Sequence, residues 1–217
     1  SNVGILTLFE SSLASASMPD AIVLSEYCGN IGITSSLVAP IPSLRSCSQL
    51  SYISLTYGVD IRNYGEIKGI DSCRKLGSEI LGCSQEYIWA GGNSSLSLMS
   101  KFLSFLFVEG NRGGPWSNQE RVSILCPVPG YDRHFKLCET FGINMIPVSL
   151  TGQGPDLDEI KELVATDNSI KGIWCVPKYS NPTGEVYSSY VIEGLLDIFN
   201  NTKNQSVIFW DNAYAVH

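Results

Sequence analysis

Val176-Pro177-Lys178-Tyr179-Ser180-Asn181-Pro182-Thr183-Gly184 follows an apolar run, Ile170 to Val176, and precedes a helical pattern that starts near Ser188. Two prolines and Gly184 impose a non-repetitive turn between a strand and a helix. Asn181 then stands at the carboxyl end of a parallel strand, where open α/β sheets take their ligands. By itself Asn-Pro-Thr-Gly also serves as a plain connecting turn, so the flanking sequence has to decide.

On the C-terminal side, Val191, Leu195, Ile198 and Phe199 form the inward face of a helix. A strand over Ser206 to Trp210 follows and runs into Asp211-Asn212-Ala213-Tyr214. On the N-terminal side, Asp156 and Glu159 make a capping-box-like start for a helix that turns Leu157, Ile160, Leu163 and Val164 inward. Before it come a strand over Asn144 to Ser149, a helix over 132–141, and a buried strand from Val122 to Pro127 that leads into Gly130-Tyr131-Asp132-Arg133-His134-Phe135. Tyr87 to Ala90 is a short strand, followed by Gly91-Gly92-Asn93-Ser94-Ser95 and an apolar helix from Leu96 to about Val108. Another helix, closed by Gly82, has Ile70, Cys73, Leu76, Ile80 and Leu81 on one face. Residues 1 to about 60 hold only short apolar runs and a Gly, Pro and Ser-rich stretch, and read as an arm. The alternation from residue 87 onward predicts an α/β fold, a mostly parallel sheet covered by helices. The loops 91–95, 130–135, 177–184 and 211–214 all follow strands and are expected along one edge of that sheet.

Composition narrows the choice of function. The 217 residues are 44% hydrophobic, enough for a substantial core. A formal net charge of -7 with no basic cluster argues against nucleic acid and against an anionic membrane surface. No apolar run is long enough to span a bilayer. The first basic residue is Arg45, so the positive region of a signal peptide is not seen, and a cytoplasmic location is expected. Seven cysteines (28, 47, 73, 83, 126, 138 and 175) show no metal-ligand spacing and read as reduced thiols; no metal is expected.

Glycines, hydroxyls and a helix N-terminus at 91–95 would let backbone amides approach a phosphate. A serine N-cap after a glycine turn would look the same. With Tyr131, Asn181, Asp211 and Tyr214, the expected edge offers an anion cradle, an aromatic ring, an amide, a carboxylate and a phenol. A flat, phosphorylated ring containing nitrogen would use all five, and pyridoxal 5'-phosphate (PLP) is such a ring, tuned by groups of this kind.

GGNSSL (91–96), VPGYDRHF (128–135), VPKYSNPTG (176–184) and WDNAYAVH (210–217) together resemble the fold-type-I PLP-dependent aminotransferases, in the aspartate aminotransferase and alanine-glyoxylate-like branch. The resemblance covers roughly residues 60 to 217. It implies Asp211 as the partner of the pyridinium nitrogen, Asn181 and Tyr214 as ligands of the ring oxygen O3', and Tyr131 as the stacking ring. It implies His134 as the histidine that bonds the aspartate, and Gly92, Asn93, Ser94 and Ser95 as the phosphate loop. Tyr64 resembles the tyrosine that reaches the phosphate of a second subunit's cofactor, which implies a homodimer.

The activity implied is amino transfer between an aspartate-like amino acid and a 2-oxo acid such as 2-oxoglutarate. A lyase or decarboxylase of the same fold, or a non-catalytic cofactor-binding fragment, are the alternatives. Residues 61–217 would be an incomplete large domain, truncated before the C-terminal small domain, and residues 1–60 an arm with part of that small domain. The family's Schiff-base lysine is expected beyond His217, so no catalytic residue is assigned. Lys178, the lysine inside the organising turn, reads as a flanking surface residue, and the 217 residues alone are expected to be inactive.

Overall fold

The computed structural model describes residues 4–8, 22–24, 67–69, 71–81, 84–90, 94–111, 113–203 and 205–214. The chain divides into two units, Ser1–Asp20 with Met99–His217, and Ala21–Leu98. The boundary read from the sequence at residue 60 lies outside the described residues.

The first unit is built on a five-stranded sheet. Its strands are β1 (Gly4–Leu8), β4 (Ser123–Val128), β5 (Asn144–Ser149), β6 (Ile170–Cys175) and β7 (Val207–Asp211), in the order β1-β7-β6-β4-β5. Every pairing is parallel. Helices α3 (Asp132–Thr140), α4 (Leu157–Thr166) and α5 (Ser189–Asn201) are the crossovers between β4, β5, β6 and β7. All five residues of β7 are buried, as are Ser123–Pro127 of β4, which is what a sheet covered on both faces requires of its central strands.

The period of two sorts the two faces. Leu125, Ile173, Cys175, Ile208 and Trp210 join Ile160 and Val164 of α4 and Val191, Leu195 and Phe199 of α5 in one core. Trp174 and Phe209 alternate with these residues and turn the other way. There they meet His134 of α3 and Phe102 of α2 (Ser95–Val108). Between β4 and β6 the register shifts after Ser123–Ile170, so Ile170 and Ile173 both reach the same core. Gly172 lies at this irregularity, where a Cβ would come 2.4 Å from the Val207 carbonyl oxygen. Only glycine lets β6 and β7 pair there.

The start of α4 differs from the expected capping box. Asp156 accepts from the amides of Asp158 and Glu159, as the pattern predicts. Glu159 does not return to the Asp156 amide. That amide already donates to the Ser149 carbonyl, and the Glu159 carboxylate takes the Ser149 N–H instead at 2.8 Å. The reciprocal half of the cap therefore ties α4 to the end of β5. The start of α5 follows the sequence reading, with Ser188 Oγ accepting from the Val191 amide.

At the other end of α4, Asp167 accepts from the Ser169 amide at 2.8 Å and pairs with Arg121 at 2.9 Å. Hydrogen bonding from Ser169, and then the Arg121 guanidinium, hold its carboxyl below the usual carboxylate range. A depressed folded-state value stabilises the fold above the unfolded carboxylate value of about 3.9 and loses that contribution as pH falls through the lower folded one. Asp167→Asn is expected to lower stability at neutral pH by about 0.5 kcal/mol, typical of an exposed pair, and to flatten the acid limb of urea melts taken between pH 2 and 7.

The second unit holds β2 (Ile22–Leu24), α1 (Asp71–Leu81) and β3 (Ile88–Ala90). Here the expectation that the strand before Gly91 belongs to the main sheet is corrected: β3 pairs in parallel with β2 in a separate two-stranded sheet. The physical reason lies in its length and burial. It has three residues, with Ile88 buried and Trp89 exposed, so only one face is covered, whereas a strand inside the main sheet is buried on both. Arg74 holds β3 to α1, donating to the carbonyls of Ile88 and Gln85 at 3.1 and 2.8 Å. Leu76 of α1 is half-buried. Ile70, Gly82 and the side chains of Cys73, Ile80 and Leu81 lie outside what is described.

Candidate active site

In the sheet order β4, β6 and β7 are neighbours, so the loops that leave their carboxyl ends share one edge. Three of the four loops picked out in the sequence are therefore placed together: 129–131, 176–188 and 212–214. The fourth follows β3 in the second unit. Its Gly91, Gly92 and Asn93 lie outside the described residues, as does Tyr64.

β7 delivers Asp211 as its last residue, only 6% exposed. One carboxylate oxygen lies 2.9 Å from Nε2 of His134, which is 1% exposed in the first turn of α3. An ionised carboxylate only accepts, so Nε2 carries the proton in that bond. The other oxygen accepts from the Ala213 amide at 3.3 Å. Asn212 is 2% exposed, and its Oδ1 has no hydrogen-bond partner among the described residues.

Tyr131, half-buried at the N-cap of α3, meets the His134 ring edge-on with centroids 5.1 Å apart. The turn before it is tight. A Cβ on Gly130 would stand 2.5 Å from the Pro127 carbonyl oxygen, so this position admits only glycine.

The loop after β6 is held by its own bonds. Ser180 N–H donates to the Glu185 carbonyl, Gly184 N–H to the Ser180 carbonyl, and Tyr187 N–H to the Pro177 carbonyl, at 2.6 to 2.8 Å. Gly184 takes φ +73, the left-handed region that glycine tolerates. Glu185 accepts from the Gly154 amide and so pins the loop to the one after β5. Ser180 is buried by this folding, while Asn181 stays exposed. Asn181 and Tyr214 line one open groove together with Tyr179, Ser180, Pro182 and Gly184, and the Tyr179 and Tyr214 rings meet at 6.2 Å. None of the eight lysines lines this groove.

Ser94 accepts from the Ser97 amide at 3.3 Å, the bond of a helix N-cap, and Ser95 is the first residue of α2. A hydroxyl that accepts in this way still has its own hydrogen to donate.

Sequence reasoning missed three residues. Trp174 reads as ordinary core, and only the strand register shows that it lies under His134. Tyr179 has φ +50, a backbone state no pattern announces. Cys138 accepts from the Trp174 indole N–H at 3.2 Å. Among the described residues the free thiols of Cys126, Cys138 and Cys175 are buried: burial pushes Cys175 up, and hydrogen bonding to Cys138 together with burial pushes Cys126 up, so these two are not nucleophiles at neutral pH. Among the described residues no group of three or more His, Cys, Asp or Glu could hold a metal, and no helix is long and apolar enough to cross a membrane.

A parallel sheet that carries a buried carboxylate–imidazole pair, an amide and a phenol on adjacent strand ends defines a site for a polar, ring-bearing ligand. The profile of the aspartate amino-transferase family matches residues 43–217, and the chain belongs to that family. A protein of Mycolicibacterium smegmatis named as a candidate aminotransferase is 47% identical over 163 residues, which are 74% of this chain and 38% of that protein. An aspartate transaminase structure from Corynebacterium glutamicum is 43% identical with a TM-score of 0.68, over 74% of this chain and 38% of its own. A candidate aminotransferase structure from Corynebacterium diphtheriae is 37% identical with a TM-score of 0.70, over 91% of this chain and 48% of its own. The chain thus spans less than half the length of these relatives.

PLP is the cofactor of this family, and the donor set fits it. A buried acceptor-only carboxylate suits a ring N–H, and an amide and a phenol on one groove suit a ring oxygen.

Proposed function

We propose that this chain is the cofactor-binding portion of an aminotransferase that exchanges an amino group between an aspartate-like amino acid and a 2-oxo acid such as 2-oxoglutarate. The observation that carries the reading is the buried His134–Asp211 pair at the end of β7, three residues before Tyr214, which shares a groove with Asn181. When bound, PLP supplies an electron sink for bonds to the substrate's α-carbon.

The chain's own residues set the conditions for that chemistry. Asp211 holds a proton on the ring nitrogen, and burial strengthens this charge pairing because little water screens it. His134 donates to Asp211 and fixes its orientation. Asn181 and Tyr214 would donate hydrogen bonds to the ring oxygen, and Tyr131 would stack on the ring. Ser94 and Ser95, with Gly92 and Asn93, would bind the phosphate at the start of α2. By the family resemblance Tyr64 would reach the phosphate of a second copy's cofactor, which makes the working enzyme a homodimer, and a cytoplasmic location belongs to the same proposal. Residues 61–217 together with β1 belong to its large domain, and the rest of residues 1–60 to the arm with part of the small one.

An absorbance titration of the purified chain with PLP, followed by borohydride reduction and intact mass, tests the reading. Saturable binding with a shifted band and no pyridoxyl-lysine adduct is expected, together with no amino transfer above the free-cofactor background. A folded chain that does not bind PLP overturns the reading of Asp211, Asn181 and Tyr214.

A further inference from the structure

We infer that Trp174 is a positioning residue that holds the His134 imidazole in the orientation that bonds Asp211. The indole lies almost flat against the imidazole, with centroids 4.6 Å apart and planes inclined by 11°. Tyr131 closes on the same imidazole edge-on at 87°. The ring is thus held by one stacked and one perpendicular aromatic neighbour, and its Nε2 has one acceptor, Asp211. Rotation of the imidazole about its Cβ–Cγ bond would break the hydrogen bond and the flat contact together.

Trp174 is itself fixed on two sides. It is 2% exposed, its Nε1–H donates to Cys138 Sγ at 3.2 Å, and its ring packs on Phe209 with centroids 4.1 Å apart. Trp174 and Phe209 are register partners on β6 and β7, so the sheet sets where the indole lies. Cys138 and His134 both belong to α3, which places the helix over the indole at two points one turn apart. A smaller apolar residue at 174 would keep a buried strand but would leave the imidazole without its flat support. The consequence for a bound cofactor rests on the function proposed above: a wandering His134 leaves the Asp211 carboxylate unoriented toward the ring nitrogen.

The experiment is 15N–1H and 13C–1H NMR of the histidine side chains in the 217-residue chain without cofactor, with Trp174→Phe and Trp174→Met variants. The chain has two histidines, His134 and His217, so assignment needs one His134→Gln control. In the unsubstituted chain the His134 ring carbon protons are expected upfield, from the indole ring current, with a slowly exchanging Nε2–H. Trp174→Phe keeps an aromatic face and is expected to retain the Nε2–H signal. Trp174→Met keeps an apolar side chain without a face, and the Nε2–H is expected to exchange roughly tenfold faster, as a weakened hydrogen bond would. A Met variant with unchanged Nε2–H protection overturns the inference. So does an unsubstituted chain whose His134 ring protons show no upfield shift, a measurement that stands even where the Met variant does not fold. The cofactor is absent from these spectra. A chain that behaves as expected here and still fails to bind PLP removes the proposed function and leaves the role of Trp174 toward Asp211 in place.

Discussion

Asp211→Asn weakens binding of PLP to this chain roughly 30- to 100-fold, the equivalent of about 2–3 kcal/mol for a charge-assisted bond lost in a buried site. The amide is nearly isosteric, and its oxygen can still accept from His134 Nε2, which lies 2.9 Å from the carboxylate in the native chain. The His134 donor therefore keeps its acceptor, while the amide nitrogen replaces the oxygen that accepts from the Ala213 N–H at 3.3 Å, a long bond whose loss should shift melting only modestly. The negative charge proposed to hold a proton on the cofactor's ring nitrogen is gone. Fluorescence titration gives the affinity and near-UV circular dichroism reports the fold. An Asp211→Asn chain that binds PLP as tightly as the unsubstituted one removes Asp211 from the site.

Phe199→Ala has the opposite profile. Phe199 is fully buried in the last turns of α5, in one core with Leu195, Ile173, Ile208 and Val164. Truncation leaves a cavity between helix and sheet and costs about 3–5 kcal/mol. That is a large share of the roughly 5–15 kcal/mol that stabilises a natural domain. Urea melts followed by tryptophan fluorescence measure the loss. Phe199 belongs to the core and does not line the groove, so the fraction that remains folded should bind PLP with unchanged affinity. The two variants separate binding from folding: one moves the titration and spares the melt, the other moves the melt and spares the titration.

The parts of the fold legible in the sequence were those set by local periodicity. Leu195 and Phe199 repeat at helical spacing and are buried where that spacing puts them. Continuous apolar runs marked β4, β6 and β7, and the glycines and prolines after them marked the loops. Partnership was not legible. The apolar run near residue 5 became β1 beside β7, and the short strand before Gly91 paired with β2, because pairing depends on what lies opposite rather than on the strand itself. The site divided along the same line. Tyr131, Asn181, Asp211 and Tyr214 stood out as polar or aromatic groups in loops after apolar strands, whereas His134 came only from the family resemblance. Trp174 did not stand out, since a tryptophan inside a buried run is what a core requires.

His134 and Asp211 are 77 residues apart in the chain, and the bond between them exists only once β7 has been laid beside β6. A ribosome that has released α3 has made the imidazole but not its acceptor, and the groove still lacks Tyr214. The nascent chain therefore has nothing with which to hold a ring nitrogen until its last described strand is in place. A cofactor whose ring nitrogen must meet Asp211 gains that contact only after this step. It acts afterwards, drawing the equilibrium toward chains that have already closed the sheet.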